Sequence, residues 1–423
     1  MFLRMTIGLG ILSATALSLP HPAMADDPGP LQIFVSKEKQ SLTVYEGGRA
    51  IATSKVSTGK AGHTTPSGVF SILEKRRHHS SNIYANSPMP YMQRLTWSGI
   101  ALHESGHVPN YPASHGCVRL PRQFAKSLFR MTERGAHVVI TDAPVEPQAF
   151  SHPALFLPFS AAGDHQLLSD AELRPAMPGI FGQPVELAMN TAMLPNVGAS
   201  ATAVLPEPPP LRILITRREP GDVIRDVQEI LAALGFDAGT PDGRIGPLTR
   251  AAINAFKESR EMPLDGTPVT PAFLSALYEA AGRGEPPLGK IMVRQKFEPL
   301  FEAAIDIREP HKALGTHFLT AIRIDRLRND AEWQLTSLEN DLGAETRKRL
   351  GITNPEDAHG TDAAMAALDR ISIPPDVRHR IGLVLAQGSS ITISDTGLGM
   401  ETGLGTDFIT ITRKARPSRS KKG

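Results

Sequence analysis

The stretch ALHESGHVPNYPASHGCVRLP, residues 101–121, carries the only cysteine of the chain, Cys117, together with three histidines. A thiol reacts as its thiolate and is mostly protonated at neutral pH, so a nucleophilic cysteine needs a neighbouring base. His103 can take the thiol proton and return it to a leaving amine, as acyl transfer requires. Gly116 would let backbone amides approach a developing oxyanion. The stretch therefore predicts a cysteine nucleophile with a histidine base.

Two other interpretations of this stretch remain open. A solitary cysteine beside histidine can be an ordinary core residue. Zinc prefers histidine and cysteine ligands, and the candidate set is His103, His107, His115 and Cys117. Gly106 and Pro109 disfavour a helix that could present two of these histidines together. We therefore expect no metal and no other cofactor.

Composition limits the classes of partner. Lysine and arginine total 45 against 43 acidic residues, a net charge of +2, which supplies no field to hold a nucleic acid. One basic run, Lys75–Arg77 followed by His78 and His79, is typical of a solvated turn, with an anionic glycan contact as the alternative. The length of 423 residues suffices for two or three domains.

The N-terminal residues have the pattern of a secretory signal peptide. Arg4 precedes the apolar run Ile7–Leu19, and Ala23–Ala25 supply small residues before Asp26. We expect residues 1–25 to be removed and the protein to be exported to the periplasm or cell envelope. A membrane anchor is disfavoured because the run is shorter than the roughly 20 apolar residues that a bilayer requires. No membrane span is expected in the mature protein, and a single cysteine permits no internal disulfide.

Hydrophobic periodicity and turn residues divide the rest of the chain. Residues 31–142 are predicted to form a mostly β domain with a helix over Arg122–Arg134, and residues 143–221 a linker rich in proline and alanine. A helical unit is predicted over residues 222–282. Residues 286–414 are predicted to be an α+β region, followed by a basic tail, residues 415–423. The predicted strands are Leu31–Val35, Leu42–Tyr45, Ile51–Val56 and His137–Thr141, and the predicted helices of the middle unit are Val223–Leu234, Pro247–Phe256 and Pro271–Ala280.

Three sequence blocks resemble one known family. Ser114–Arg119 resembles the S-H-G-C-[IV]-R signature of the YkuD-type L,D-transpeptidase catalytic domain, and His103 falls where that family has its upstream histidine. Ser57–Lys60 and Thr65–Phe70 are similar to its S-T-G-K and T-P-x-G-x-F blocks, in the same order. The resemblance covers roughly residues 31–142. It implies a β-sandwich that acts on the short peptides of peptidoglycan.

The resemblance also implies roles for individual residues. Cys117 would attack the carbonyl that joins the third residue of a tetrapeptide stem to its terminal D-alanine, leaving a thioester, and His103 would protonate the leaving amine. The backbone carbonyl of Glu104 would orient the histidine, although the family often has glycine at that position. Backbone amides at Gly116 and Cys117 would stabilise the oxyanion. The other residues assigned by resemblance are Ser114, His115 and Arg119 for the loop, and Met89, Tyr91 and Trp97 for the substrate groove.

The middle unit is similar to a peptidoglycan-binding domain of three helices. Residues 242–256 match its D-G-x-x-G-x-x-T-x-x-A-x-x-x-F pattern. Glycines in this pattern make the turn, and the remaining residues cap or pack the next helix. Glycan binding is the function that this resemblance implies. A tethered binding unit would raise the concentration of the catalytic domain on the polymer.

The C-terminal region contains short segments that are similar to the first domain. In chain order, Lys290–Val293 is similar to Gln32–Val35, Leu314–Phe318 to Pro66–Phe70, and Gly405–Thr412 to Gly135–Thr141. The common order favours a degenerate second copy of the first fold, with chance similarity of short β motifs as the alternative. No cysteine would stand in that copy at the place of Cys117.

Three functions follow from the sequence. The first is an L,D-transpeptidase that joins stem peptides to each other or attaches an envelope protein to the wall. The second is a carboxypeptidase or other stem-peptide hydrolase with the same Cys117 and His103, because chemistry up to the thioester is identical. The third is a wall-binding protein without activity, which an intact cysteine and histidine disfavour.

Overall fold

The computed structural model describes residues 28–81, 83, 87–159, 207–339, 341–354, 358–403 and 405–413. The predicted signal peptide, most of the predicted linker and the predicted basic tail lie outside these residues. The N-terminal elements are β1 (Leu31–Ser36), β2 (Ser41–Glu46), β3 (Arg49–Lys55), β4 (Ser67–Ser71), β5 (Glu74–Arg76), β6 (Met92–Arg94), β7 (Ala101–Glu104), β8 (Val118–Leu120), α1 (Arg122–Met131), β9 (His137–Thr141) and β10 (Gln148–Phe150). The later elements are β11 (Leu211–Arg217), α2 (Pro220–Ala233), α3 (Pro247–Ser259), α4 (Pro271–Ala280), β12 (Gly289–Gln295), β13 (Glu298–Ile307), β14 (Thr316–Asp325), β15 (Asp330–Leu338), α5 (Ala344–Leu350), α6 (Thr361–Asp369), β16 (Ile371–Ser372), α7 (Pro375–Val384), β17 (Ser390–Ser394) and β18 (Thr410–Arg413). Within the described residues, no helix has the length and apolarity that crossing a bilayer requires.

The first domain is mostly β, as the sequence predicts. Its main sheet has the order β18-β4-β9-β1-β2-β3, with β1 and β9 parallel. Side chains on β1 alternate between two faces. Ile33 and Val35 lie in the domain core, while Phe34 packs on the opposite face of the sheet. The four strands that periodicity predicts here are confirmed, with ends that differ by one or two residues.

A smaller sheet, β5-β6-β7-β8, lies across the same core. Leu102 of β7 and Val118 and Leu120 of β8 are fully buried and contribute to that core. Helix α1 ends at Met131, three residues before the predicted end. Thr132 leaves the helix because its hydroxyl donates to Gln93 Oε1 at 2.7 Å, and its backbone is extended.

The middle unit is a bundle of three helices, as predicted. Each helix begins with a proline at its first position, where the missing N–H costs nothing. Thr249 is buried between helices and donates to the carbonyl of Ala238 at 2.9 Å. Ala252 and Phe256 pack in the core of the unit. The pattern that predicts this unit therefore consists mainly of residues with structural roles.

The C-terminal sheet repeats the strand order of the first. Its central strands run β13-β12-β11-β17-β14, against β3-β2-β1-β9-β4 in the first domain. The directions also agree, since β11 is parallel to β17 and antiparallel to β12. The helical unit is inserted between β11 and β12. Their counterparts in the first domain, β1 and β2, are joined directly as a hairpin. The region is therefore an α+β domain with the topology of the first copy.

Paired contacts align the two copies residue by residue. The bridge between Ser57 and Arg119 in the first copy has its counterpart in the antiparallel pair Asp306 and Ser372. The ion pair Lys37–Asp142, at 2.7 Å, has its counterpart in Arg217–Asp395, at 2.8 Å. Counting back two residues from Arg119 and from Ser372 places Arg370 where the first copy has Cys117. The Arg370 guanidinium donates to backbone carbonyls, including that of Ala313 at 2.7 Å.

The predicted boundaries of this copy are wrong at two places. Its first strand is β11, which lies inside the predicted linker, so Lys290–Val293 corresponds to β2 and not to β1. The strand that corresponds to β9 is β17, whereas β18 joins the first sheet. The segment Leu314–Phe318 falls on the correct strand, one residue out of register. The inserted helices separate β11 from its hairpin partner, which hides the repeat in the sequence.

The two copies pack against each other and exchange strands. Phe34, Val69 and Val139 from the first sheet contact Phe318 and Leu338 from the second. Strand β18, after the second copy, pairs with β4 of the first sheet. Strand β10, after the first copy and inside the predicted linker, pairs with β15 of the second sheet. These two strand pairings link the first and second sheets.

Candidate active site

The parallel pairing of β7 and β8 brings the two predicted reactive residues to one face of the small sheet. Leu102 pairs with Val118, and His103 pairs with Arg119. Because Leu102 and Val118 point into the core, the side chains of His103 and Cys117 project from the opposite face. Strand spacing places their α-carbons roughly 8 Å apart. This separation is within the combined reach of an imidazole and a thiol.

The loop before Cys117 is shaped by glycine and threonine. Gly116 has a φ of +120°, which a residue with a side chain rarely adopts. A β-carbon there would also lie 2.8 Å from Cδ1 of Ile100. The Thr65 hydroxyl donates to the Gly116 carbonyl at 2.7 Å and accepts from the Gly59 N–H at 2.9 Å. The Ser114 hydroxyl donates to the Cys117 carbonyl. The candidate nucleophile therefore sits on a turn whose Gly116 and Cys117 carbonyls are both hydrogen-bonded.

The two upstream motifs act by holding this turn. The Ser114 N–H donates to the Thr58 carbonyl at 3.0 Å, and the Lys60 N–H donates to the Ser114 carbonyl at 2.9 Å. Thr58 is itself fixed, because the Gln40 side chain donates to its hydroxyl at 2.7 Å and accepts from its N–H at 2.9 Å. Ser57–Lys60 and Thr65–Phe70 are thus supports for the cysteine loop.

The orientation of His103 suits a base. Its Nδ1 lies 2.7 Å from the Glu104 carbonyl oxygen, which can only accept, so Nδ1 carries the proton and Nε2 is the free base. Burial lowers the pKa of His103 to about 4, although the bond to Glu104 opposes this effect. The imidazole is therefore neutral near pH 7. The Glu104 carboxylate points elsewhere, 3.7 Å from Arg122.

Cys117 is half-buried, and its thiol donates to the Gly99 carbonyl at 3.4 Å. Burial raises the pKa of the thiol, while a hydrogen bond from the Ala101 backbone and the charge of Arg119 lower it in part. Both groups are thus neutral near pH 7, the thiol because its pKa is raised and the imidazole because its pKa is lowered.

The predicted supporting residues divide into two groups. Met89 belongs to a small apolar cluster against which Cys117 packs, and Trp97 lies on the turn before Gly99 with 54% of its surface exposed. Tyr91 is half-buried and packs edge-on against Phe129 of α1, in contact with the domain core. Tyr91 thus contributes to packing against α1, and its place in the substrate groove stays a prediction.

The contacts of His115 and of the Gly116 N–H bear on the roles predicted for the cysteine loop. His115 is exposed and packs edge-on against His63, with ring centroids 4.9 Å apart. The Gly116 N–H already donates to the Ser114 hydroxyl at 3.1 Å. Of the two predicted oxyanion donors, the Cys117 N–H is therefore the better candidate.

Two residues near the site carry no clear sequence signal. His79, which the sequence places in a solvated turn, is half-buried and close enough to His103 to lower the pKa of that residue. Glu401, from the loop before β18, accepts hydrogen bonds from the backbone of Trp97 and Ser98. A separation of about 300 residues hides such a contact from any local pattern.

No group of three or more histidine, cysteine, aspartate or glutamate side chains that could hold a metal ion occurs among the described residues. His107, a member of the alternative zinc set, is exposed on the loop after β7. The arrangement that the structure does show is a thiol, an oriented imidazole and a backbone-bonded turn. This arrangement can perform acyl transfer through a thioester.

Two family models match this chain. Residues 30–140 match the model of the L,D-transpeptidase catalytic domain. Residues 220–277 match a model of a peptidoglycan binding domain. No curated protein matches the chain significantly.

Several solved structures of L,D-transpeptidases are similar to the first domain. The protein from Stackebrandtia nassauensis is 31% identical over 27% of this chain and 57% of its own, with a TM-score of 0.26. The protein from Xylanimonas cellulosilytica is 28% identical over 27% of this chain and 62% of its own, with a TM-score of 0.25. An Enterococcus faecium L,D-transpeptidase mutant is 29% identical over 26% of this chain and 49% of its own, with a TM-score of 0.25. The chain thus covers less than two thirds of each of these proteins.

Proposed function

We propose that this protein is a cysteine-dependent L,D-transpeptidase that acts on peptidoglycan stem peptides. The observation that carries the proposal is the pairing of β7 with β8, which projects His103 and Cys117 from one face with Nε2 of the histidine free to accept a proton. The family match over residues 30–140 supports the same reaction.

In the first half-reaction, Cys117 Sγ attacks the carbonyl carbon of the bond between the third residue of a tetrapeptide stem and its terminal D-alanine. The thiol proton passes to His103 Nε2 as the S–C bond forms. The same proton then goes to the leaving nitrogen, the C–N bond breaks and D-alanine departs. The Cys117 N–H stabilises the oxyanion between these events. The product is a thioester on Cys117.

In the second half-reaction, an amine replaces the sulfur. His103 Nε2 takes a proton from the attacking amine and returns it to the departing thiolate, which regenerates the neutral pair. The acceptor amine belongs to a second stem peptide or to an envelope protein. A neutral resting thiol suits this order, because the sulfur becomes nucleophilic only when substrate is present beside the base.

The proposed substrate also suggests a role for the helical unit and a cellular location for the reaction. The match of residues 220–277 to a peptidoglycan binding domain supports a role for this unit in holding the enzyme on the glycan polymer. Peptidoglycan lies in the cell envelope, so we propose export through the N-terminal signal peptide and action in the periplasm. No cofactor is required by the proposed steps.

The test uses the mature protein with isolated muropeptides and mass spectrometry of the products. Cross-linked dimers and a thioester on the intact protein are expected. Cys117→Ala and His103→Ala should lower product formation at least a hundredfold, which is about 2.7 kcal/mol of transition-state stabilisation. His107→Ala, at an exposed histidine on the loop after β7, is the matched control and should keep its activity.

Other products would change the assignment. Shortened monomers without dimers would make the protein a hydrolase that transfers the acyl group to water. Unchanged muropeptides, together with binding to the wall, would indicate a wall-binding protein without activity. Loss of activity in His107→Ala to the same extent as in His103→Ala would contradict the two-residue mechanism.

A further inference from the structure

The turn beside the nucleophile is bonded to a side chain that follows the second copy. Glu401 Oε2 accepts the N–H of Trp97 at 2.7 Å and the N–H of Ser98 at 3.3 Å. One carboxylate oxygen therefore binds two successive backbone amides. Such charge-assisted bonds are shorter and stronger than bonds between neutral groups.

This turn also determines where the sulfur lies. The Gly99 carbonyl at its end accepts the Cys117 thiol. The turn closes through the bond from the Gly99 N–H to the Thr96 carbonyl at 3.3 Å, and the Ile100 N–H donates to the Thr96 hydroxyl at 2.9 Å. A shift at Ser98 therefore moves the acceptor of the thiol and the exposed Trp97 ring together.

Glu401 stands on a loop that is anchored to both copies. On one side, the Ile409 N–H donates to the Thr402 hydroxyl at 2.9 Å, and Ile409 packs in the core of the first domain. On the other side, Arg294 of the second copy donates to the Gly403 carbonyl at 2.8 Å. The loop that carries Glu401 is thus held by these hydrogen bonds on both sides, which restricts the position of the carboxylate.

From these contacts we propose that Glu401 is a positioning residue for Cys117, and that the loop after the second copy, held by Arg294 of that copy, completes the active site of the first. This inference rests on the proposed function for its kinetic consequence. Glu401 touches neither the sulfur nor the imidazole. It acts by holding Trp97 and Ser98, which keeps the Gly99 carbonyl against the Cys117 thiol.

The test compares full-length variants. Glu401→Ala should lower the rate of thioester formation on Cys117 at least tenfold with an unchanged melting temperature. Glu401→Gln keeps an acceptor oxygen and should retain most of the rate, which a merely structural role would not predict. Glu285→Ala, at an exposed carboxylate after the helical unit, is the matched control and should equal the wild type. Should Glu401→Ala lose its melting transition, Glu401→Asp makes the same comparison, because its shorter side chain keeps the charge but withdraws the acceptor from the two amides.

A second readout separates this inference from the proposed function. Alkylation of Cys117 by iodoacetamide needs no substrate, and Glu401→Ala should change its rate at least threefold. A wild type that is alkylated but never forms a thioester would overturn the proposed function, while a changed alkylation rate in Glu401→Ala would still support positioning. Equal alkylation and acylation rates in wild type and Glu401→Ala would overturn the positioning role.

Discussion

At the residue scale, Gly116 shows how a signature residue can be required by backbone geometry. Its φ of +120° lies in a region that side chains rarely enter, and its carbonyl accepts from Thr65. The glycine of the S-H-G-C-[IV]-R signature is therefore needed for the turn that presents Cys117.

Replacing this glycine provides a residue-scale prediction. Gly116→Ala should cost on the order of 1–3 kcal/mol of stability, because the strained backbone and the contact with Ile100 oppose the native turn. Thioester formation should fall at least tenfold, since the sulfur is displaced. Melting temperature and acylation rate measure the two effects. Gly106→Ala, where a β-carbon meets nothing within 4 Å, is the control and should change neither.

At the scale of elements, the helical unit depends on one buried side chain. Gln228 on α2 donates to Asp242 Oδ1 and to the Arg244 carbonyl, both at 3.0 Å, and accepts from the Gly243 N–H at 2.9 Å. It also bonds the Thr249 hydroxyl. The D-G-x-x-G turn is therefore held to the first helix by a residue that lies outside the recognised pattern.

Gln228→Leu should destabilise the helical unit by about 2–4 kcal/mol, because it removes the acceptor of the Gly243 N–H and the donor to Asp242 and to the Arg244 carbonyl. Sedimentation with isolated cell wall should weaken, whereas thioester formation on soluble muropeptides should stay at the wild-type level. Calorimetry follows the unfolding. Glu229→Gln, at the exposed neighbouring position, controls for the helix itself, and weakened sedimentation of that variant would contradict this account.

At the scale of the whole molecule, the two copies share one structure but only one candidate nucleophile. Arg370 occupies the place of Cys117 in the second copy, and its guanidinium is bonded to backbone carbonyls. The second copy instead contributes its packing face, and the chain after it supplies the loop that carries Glu401 and strand β18, which joins the first sheet. Duplication has thus produced a support for the first copy and not a second thiol site.

The buried histidines predict how the stability of the assembly depends on pH. Burial lowers the pKa of His103 and of His317 to about 4 and lowers that of His137 at the contact between the copies. In the unfolded chain these histidines take up a proton near pH 6.5, whereas in the folded chain they stay neutral to a lower pH. Stability should therefore be fully present above about pH 6.5 and should fall as the pH decreases towards 4.

Urea unfolding at pH 7 and at pH 4.5 measures this dependence. His317→Gln should reduce the difference between the two midpoints, because one buried titrating group is removed. His107→Gln, at an exposed histidine, should leave the difference unchanged. A wild-type midpoint that does not fall between pH 7 and pH 4.5 would contradict the assigned directions of the pKa shifts.

Local sequence patterns predict those strands and helices whose formation depends on residues close together in the chain. Alternation of apolar residues predicted the strands of the first domain, and helical spacing predicted the middle unit. The signature around Cys117 and His103 predicted the reactive pair. Only the tertiary structure placed β11 in the second sheet, Arg370 at the second thiol position and Glu401 beside Trp97. Such contacts join residues that are distant in the chain, so chain topology decides them and no local pattern records them.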